Sequence, residues 1–129
     1  MRGTFKREDR AIASVQPSCR ANHEGAEDGR GDILGPTLGE PSTATFEVAC
    51  PRDAVATGIY GWSDTLLRSV GFLCSGEAVT LHTSKGGVDR GKAFELSCPG
   101  EAAAIGIEGR SGALIDALGI LCPASTRAL

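Results

Sequence analysis

Four cysteines stand at equal intervals along the chain: Cys50, Cys74, Cys98 and Cys122, each 24 residues from the next. A ruler this even asks for an internal repeat. The repeat is present with a period of 48. Residues 49–74 and 97–122 align without a gap, and 12 of the 26 positions are identical. The match extends upstream, where Phe46-Glu47-Val48 faces Phe94-Glu95-Leu96. A partial third copy stands near the start. There, Ile12-Ala13-Ser14-Val15-Gln16-Pro17-Ser18-Cys19 lines up with Leu67 to Cys74, although Pro17 suits a strand poorly. On this reading the chain begins inside a first repeat, lacks that repeat's opening strand, and leaves out whatever signal peptide preceded it.

Each full copy holds two apolar runs. The first is Val55-Ala56-Thr57-Gly58-Ile59, matched by Ala103 to Ile107. Its larger residues alternate with small ones, as a half-buried strand requires. The second run is Leu66 to Leu73, matched by Leu114 to Leu121. Between them, Gly61-Trp62-Ser63-Asp64 and Gly109-Arg110-Ser111-Gly112 carry turn chemistry. The unit is therefore a β-hairpin. The midpoints of the cysteine pairs, 62 and 110, fall in these turns. That brings Cys50 to Cys74 and Cys98 to Cys122. Pairing Cys74 with Cys98 has the same spacing and stays open. Each bridge closes a loop for which chain entropy gives roughly 3 kcal/mol. Zinc is the competing use of four cysteines, but no C-x-x-C pair is present. Cys19 is left over, free or bonded outside the chain.

Between the hairpins, Ala78 to His82 reads as a further strand, followed by a loop from Thr83 to Gly91. The expected organisation is a polar segment 1–26 with a remnant strand, then β repeats over 27–129, cut as 27–74 and 75–122. Residues 1–32 hold 12 charged residues, six of each sign, and are expected to be the least ordered part.

Composition sets exclusions. Glycine is 18 of 129 residues, aromatics number six, and no long helical pattern appears, so the chain reads as all-β. A net charge of −3 gives no bulk electrostatic reason to bind nucleic acid. No apolar run is long enough for a membrane-spanning helix. Residues 1–10 hold no apolar core of a signal peptide. The cysteines nevertheless argue for an oxidising, secreted or extracellular setting. The two histidines, His23 and His82, read as surface residues, and no catalytic motif stands in a convincing context. The chain is expected not to be an enzyme and to need no metal or cofactor. Arg30-Gly31-Asp32 is short enough to arise by chance.

Gly109-Arg110-Ser111-Gly112-Ala113-Leu114-Ile115-Asp116-Ala117-Leu118-Gly119 resembles the last Greek key of the jacalin-like lectins. The Cys-bounded copies also resemble the vitelline membrane outer layer proteins, which share the architecture. The resemblance covers both hairpins, about 52 residues, and the connecting segment loosely. It implies a β-prism of three four-stranded Greek keys. Three repeats of 48 would need 144 residues, so the prism is expected to be incomplete or completed by self-association. The resemblance also implies glycan partners at the loop Gly112-Ala113-Leu114-Ile115-Asp116. There backbone amides of Gly112, Ala113 and Leu114 and the Asp116 carboxylate would meet sugar hydroxyls. Gly112 is expected to be demanded by the turn in any case. The matching loop Asp64-Thr65-Leu66-Leu67-Arg68 has lost both the Gly and the Asp at the positions of Gly112 and Asp116 and should hold no such site, while Trp62 offers a stacking face. The alternatives are a secreted coat-type prism without a small ligand, and a fragment of a larger modular protein.

Overall fold

A computed structural model describes residues 1–19, 33–75 and 80–123. The expectations for His23, for Arg30-Gly31-Asp32 and for Ala78 and Val79 lie outside these residues.

The first sheet is built on the hairpin β1 (Arg2–Lys6) and β2 (Ala11–Gln16). Two short strands follow, β3 (Ser18–Cys19) and β4 (Ile33–Leu34), which pair with each other. Then β5 (Leu38–Gly39) joins β2 and β6 (Ala44–Glu47) joins β1, giving the order β5-β2-β1-β6. The second sheet repeats the plan. Its hairpin is β7 (Val55–Ser63) and β8 (Leu67–Ser75). Both β9 (Thr80–His82) and β10 (Gly86–Gly87) pair with β8, and β11 (Lys92–Ser97) pairs with β7. The third hairpin, β12 (Gly106–Ser111) and β13 (Ile115–Leu121), is two-stranded among the described residues.

All pairings are antiparallel, and the inward faces of the three sheets share one core. Ile12 and Val15 come from the first sheet, Ile59, Leu67 and Val70 from the second, and Ile115 from the third. Phe46 and Phe94 pack against this cluster from the outer strands. The molecule is a β-prism.

Two sequence expectations need correction. The opening strand of the first repeat is present: β1 pairs with β2 from Arg2↔Gln16 to Lys6↔Ala11. Pro17 is no obstacle, because it falls between β2 and β3. Second, the glycine-bearing segments expected as turns are strand. Gly61-Trp62-Ser63 belongs to β7 and Gly109-Arg110-Ser111 to β12. The reason is close backbone approach. A Cβ on Gly61 would lie 2.1 Å from the Ser69 carbonyl oxygen, and one on Gly109 2.3 Å from that of Ala117. The true turns are the next three residues, 64–66 and 112–114.

The bridges Cys50–Cys74 and Cys98–Cys122 form as expected, with Cα–Cα distances of 5.6 Å. Their geometry is not the simple reflection that the midpoint argument supposed. Cys74 pairs in register with Ala56. Cys50 lies before the strand, and a tight turn closed by the Ala54 amide on the Pro51 carbonyl (3.0 Å) leads from it into β7. The first two sheets recruit strands that follow their hairpins, so the second sheet continues past residue 75. Cys19 is free and exposed.

Candidate functional site

The loop from Gly112 to Asp116 connects β12 to β13. Its anchor is Ile115, which is fully buried in the shared core. The packing there is close, since a Cβ on Gly39 would come within 3.0 Å of Ile115 Cδ1. Gly39 is in the left-handed region (φ 89°), so it is a position that requires glycine. With Ile115 pointing inward, strand alternation turns Asp116 outward. Asp116 is exposed, and no hydrogen bond or ion pair engages it among the described residues. The turn is closed by the Gly112 amide donating to the Leu114 carbonyl (3.0 Å). Gly112 and Ala113 are exposed and Leu114 is half-buried.

Gly112 itself departs from expectation. Its φ is not positive, and a Cβ there would meet nothing within 4 Å. The fold therefore does not demand glycine at this position. What the absent side chain provides is open space above the backbone.

The matching loop of the second sheet is built the other way. Asp64 stands where Gly112 does, and Arg68 where Asp116 does. Arg68 is 8% exposed. Its Nε donates to Asp64 Oδ1 at 2.8 Å, so the two ends of the loop close on each other. Its Nη1 donates to the carbonyls of Asp9 (2.7 Å) and Arg10 (3.1 Å), in the turn of the first hairpin. The Arg68 hydrogen bond, helped by the Leu66 amide, holds the Asp64 carboxyl below its usual value of 3.8. Sequence reasoning missed this staple. Its acceptors are backbone atoms nearly sixty residues away, which leave no side-chain signature.

Trp62 lies on β7, half-buried, paired with Ser69 on one side and Ala93 on the other. It belongs to a different sheet from the Gly112–Asp116 loop. His82 is exposed on β9 and meets Glu95 Oε2 at 3.3 Å, with the Tyr60 ring edge-on at 4.7 Å. Among the described residues no cluster of three metal-ligating side chains exists, and no helix is long and apolar enough to cross a membrane. Away from the loop, an open depression of about 660 Å³ lies over the first sheet. It is lined mainly by polar residues, among them Arg2, Thr4, Ser14, Gln16, Thr45 and Glu47. A smaller one lies on the third hairpin beside the loop, over Glu108, Arg110 and Ala117.

This is the fold of the jacalin-like lectins. The structure of artocarpin complexed with Me-alpha-mannose superposes with a TM-score of 0.62 at 21% identity, over 93% of this chain and 78% of that one. The mannose-binding lectin from champedak gives 0.61 at 19% identity, over 95% and 79%. Frutapin, a lectin from Artocarpus incisa, gives 0.60 at 20% identity, over 94% and 79%. No protein-family model matches the sequence, and no curated protein matches it.

Proposed function

We propose that the chain is a non-catalytic carbohydrate-binding domain whose site is the Gly112–Asp116 loop. The observation that carries this reading is the contrast between two equivalent loops. In the second sheet an aspartate and an arginine close the loop and bury its end. In the third sheet the same two positions hold a glycine that the fold does not require and a carboxylate with no partner among the described residues.

An unengaged carboxylate beside exposed backbone amides suits adjacent sugar hydroxyls. Hydrogen bonds to the ionised group are shorter and stronger than neutral ones. Binding would require no proton transfer and no covalent step. Two of the similar structures are, by their names, a mannoside complex and a mannose-binding lectin. Mannose-type pyranosides are therefore the first ligand class to try. Ala113 and Leu114 contribute no polar side chain, so affinity for a monosaccharide is expected to be millimolar, about −4 kcal/mol. The two disulfides support a secreted or extracellular setting.

The test is a titration with methyl mannoside and a glycan array, using the parent chain, Asp116→Ala and Gly112→Ala. Binding by the parent that drops at least tenfold in Asp116→Ala is the expected result. Binding that survives both substitutions would move the site, with the polar hollow over the first sheet next in line. No binding by any chain would favour a coat-type prism without a small ligand.

A further inference from the structure

Both complete sheets cover the outer edge of their hairpin's first strand. In the first, β6 lies along Arg2 to Phe5 of β1. In the second, β11 lies along Gly58 to Ser63 of β7. The equivalent edge of β12, Gly106 to Ser111, has no strand beside it among the described residues. An uncovered edge of six residues is a row of unpaired backbone donors and acceptors, a ready template for another chain.

We propose that this edge pairs with the same edge of a second copy, antiparallel, about a two-fold axis at Gly109. The strand reads Gly106-Ile107-Glu108-Gly109-Arg110-Ser111. In an antiparallel pair centred on residue 109, residue 108 of one copy faces residue 110 of the other. Glu108 then meets the second copy's Arg110, and Arg110 its Glu108. Both ion pairs fall on one face, because side chains two apart in a strand share a face. The two glycines at the axis bring no side chains into collision. The charge pattern is thus complementary to itself, as a two-fold interface requires.

Nothing within the hairpin uses these charges. Glu108 faces Gly119 across the pair with β13, and Arg110 faces Ala117. Both charged residues are exposed, and no ion pair engages either among the described residues. The pattern also selects its register. Sliding the pair to centre on Glu108 sets two carboxylates face to face, and centring on Arg110 sets two guanidinium groups together. Like charges directly opposite are unfavourable.

Sedimentation velocity over a concentration series tests this, in a Cys19→Ser background so that the exposed free thiol cannot cross-link copies. The parent is expected to show a concentration-dependent dimer. Glu108→Arg and Arg110→Glu should each raise the dissociation constant at least tenfold. An equimolar mixture of the two variants should recover a dimer, since one chain then presents two arginines and the other two glutamates along the same edge. That recovery also shows that both variants are folded. A parent that stays monomeric throughout, a dimer indifferent to both substitutions, or a mixture no better than either variant alone would overturn the proposal. None of these readouts involves sugar, so the outcome is independent of the carbohydrate reading.

Discussion

Arg68 and Asp116 stand 48 residues apart at the same place in successive copies, and their surroundings give them opposite tasks. Arg68 is buried and ties two hairpin turns together. Truncating it in Arg68→Ala removes charge-assisted hydrogen bonds to Asp9 and Arg10 carbonyls, and is expected to cost about 2 kcal/mol, read by denaturant unfolding. Its partner Asp64 gives the pH dependence. The folded-state carboxyl titrates below its ordinary value. Its contribution is therefore fully present above the unfolded pKa and is lost as pH falls through the lower, folded one. Melting temperature followed downward from pH 6 should fall in the acid range. Asp64→Asn should show less of that acid fall than the parent, and identical profiles would remove the role assigned to the pair. The glycines divide in the same way. Gly112→Ala meets open space and should leave stability unchanged or raise it by about 0.4–1 kcal/mol. Gly39→Ala, at φ 89° and 2.1 Å from the Ala13 carbonyl oxygen, should be clearly destabilising in the same assay. At this scale the sequence made Asp116 legible as a candidate ligand residue. It left Arg68 looking merely like a lost aspartate, because backbone acceptors carry no residue identity.

Strand periodicity located both hairpins, yet it misplaced their turns by about one strand residue pair. Glycine is the cause. In Gly61 and Gly109 it serves close packing of one backbone on another, a use that composition cannot tell from a turn. A second such use links elements across sheets. Phe46 of β6 pairs with Gly3 of β1, and its ring fills the space that a side chain would need at both Gly3 and Gly86 of β10. A Cβ on Gly3 would lie 2.2 Å from the ring. Gly3→Ala should therefore cost about 1–3 kcal/mol as an overpacked core does. A ΔΔG near zero would show that the first two sheets have room to separate. The sequence did show this device in part, since Phe46-Glu47 and Phe94-Glu95 recur at the repeat period and Phe94 pairs with Gly61. What it could not show was that these strands serve the hairpin before them. Pairing across the 74/75 cut is a matter of topology, and a period of 48 holds wherever the cut is made.

For the molecule as a whole, the bridges tie the segment leaving one sheet to the next hairpin. Cys98 follows β11, its amide donating to the Thr57 carbonyl of the second sheet (2.8 Å), and it bonds Cys122 at the end of β13. Cys50 follows β6 and bonds Cys74 in β8. Cys74 is fully buried, and Cys50 and Ala54 pack around it as a small core of their own. Replacing Cys50 and Cys74 by alanine should lower stability by about 3 kcal/mol from the loop-entropy term. The equivalent pair of alanines at Cys98 and Cys122 should cost about as much, since the sequence separation is the same. A clear inequality in calorimetry would mean that packing around the sulfurs outweighs the entropy term. The prism was legible from repeat and motif together, because residues in the same spacing build the second and third hairpins. The first hairpin was the least legible, its turn one residue longer than the other two and its sequence drifted furthest.

The habit of completing the first two sheets with strands that come later in the chain has a consequence during synthesis. Chains emerge from the amino end, and early units can fold before later ones exist. The first sheet has all its strands once Glu47 is out, and the second once Ser97 is. Cys74 can therefore meet Cys50 before Cys98 has emerged. Two bridges of equal span could have been confused in a chain released whole. Vectorial growth sorts them by time of arrival.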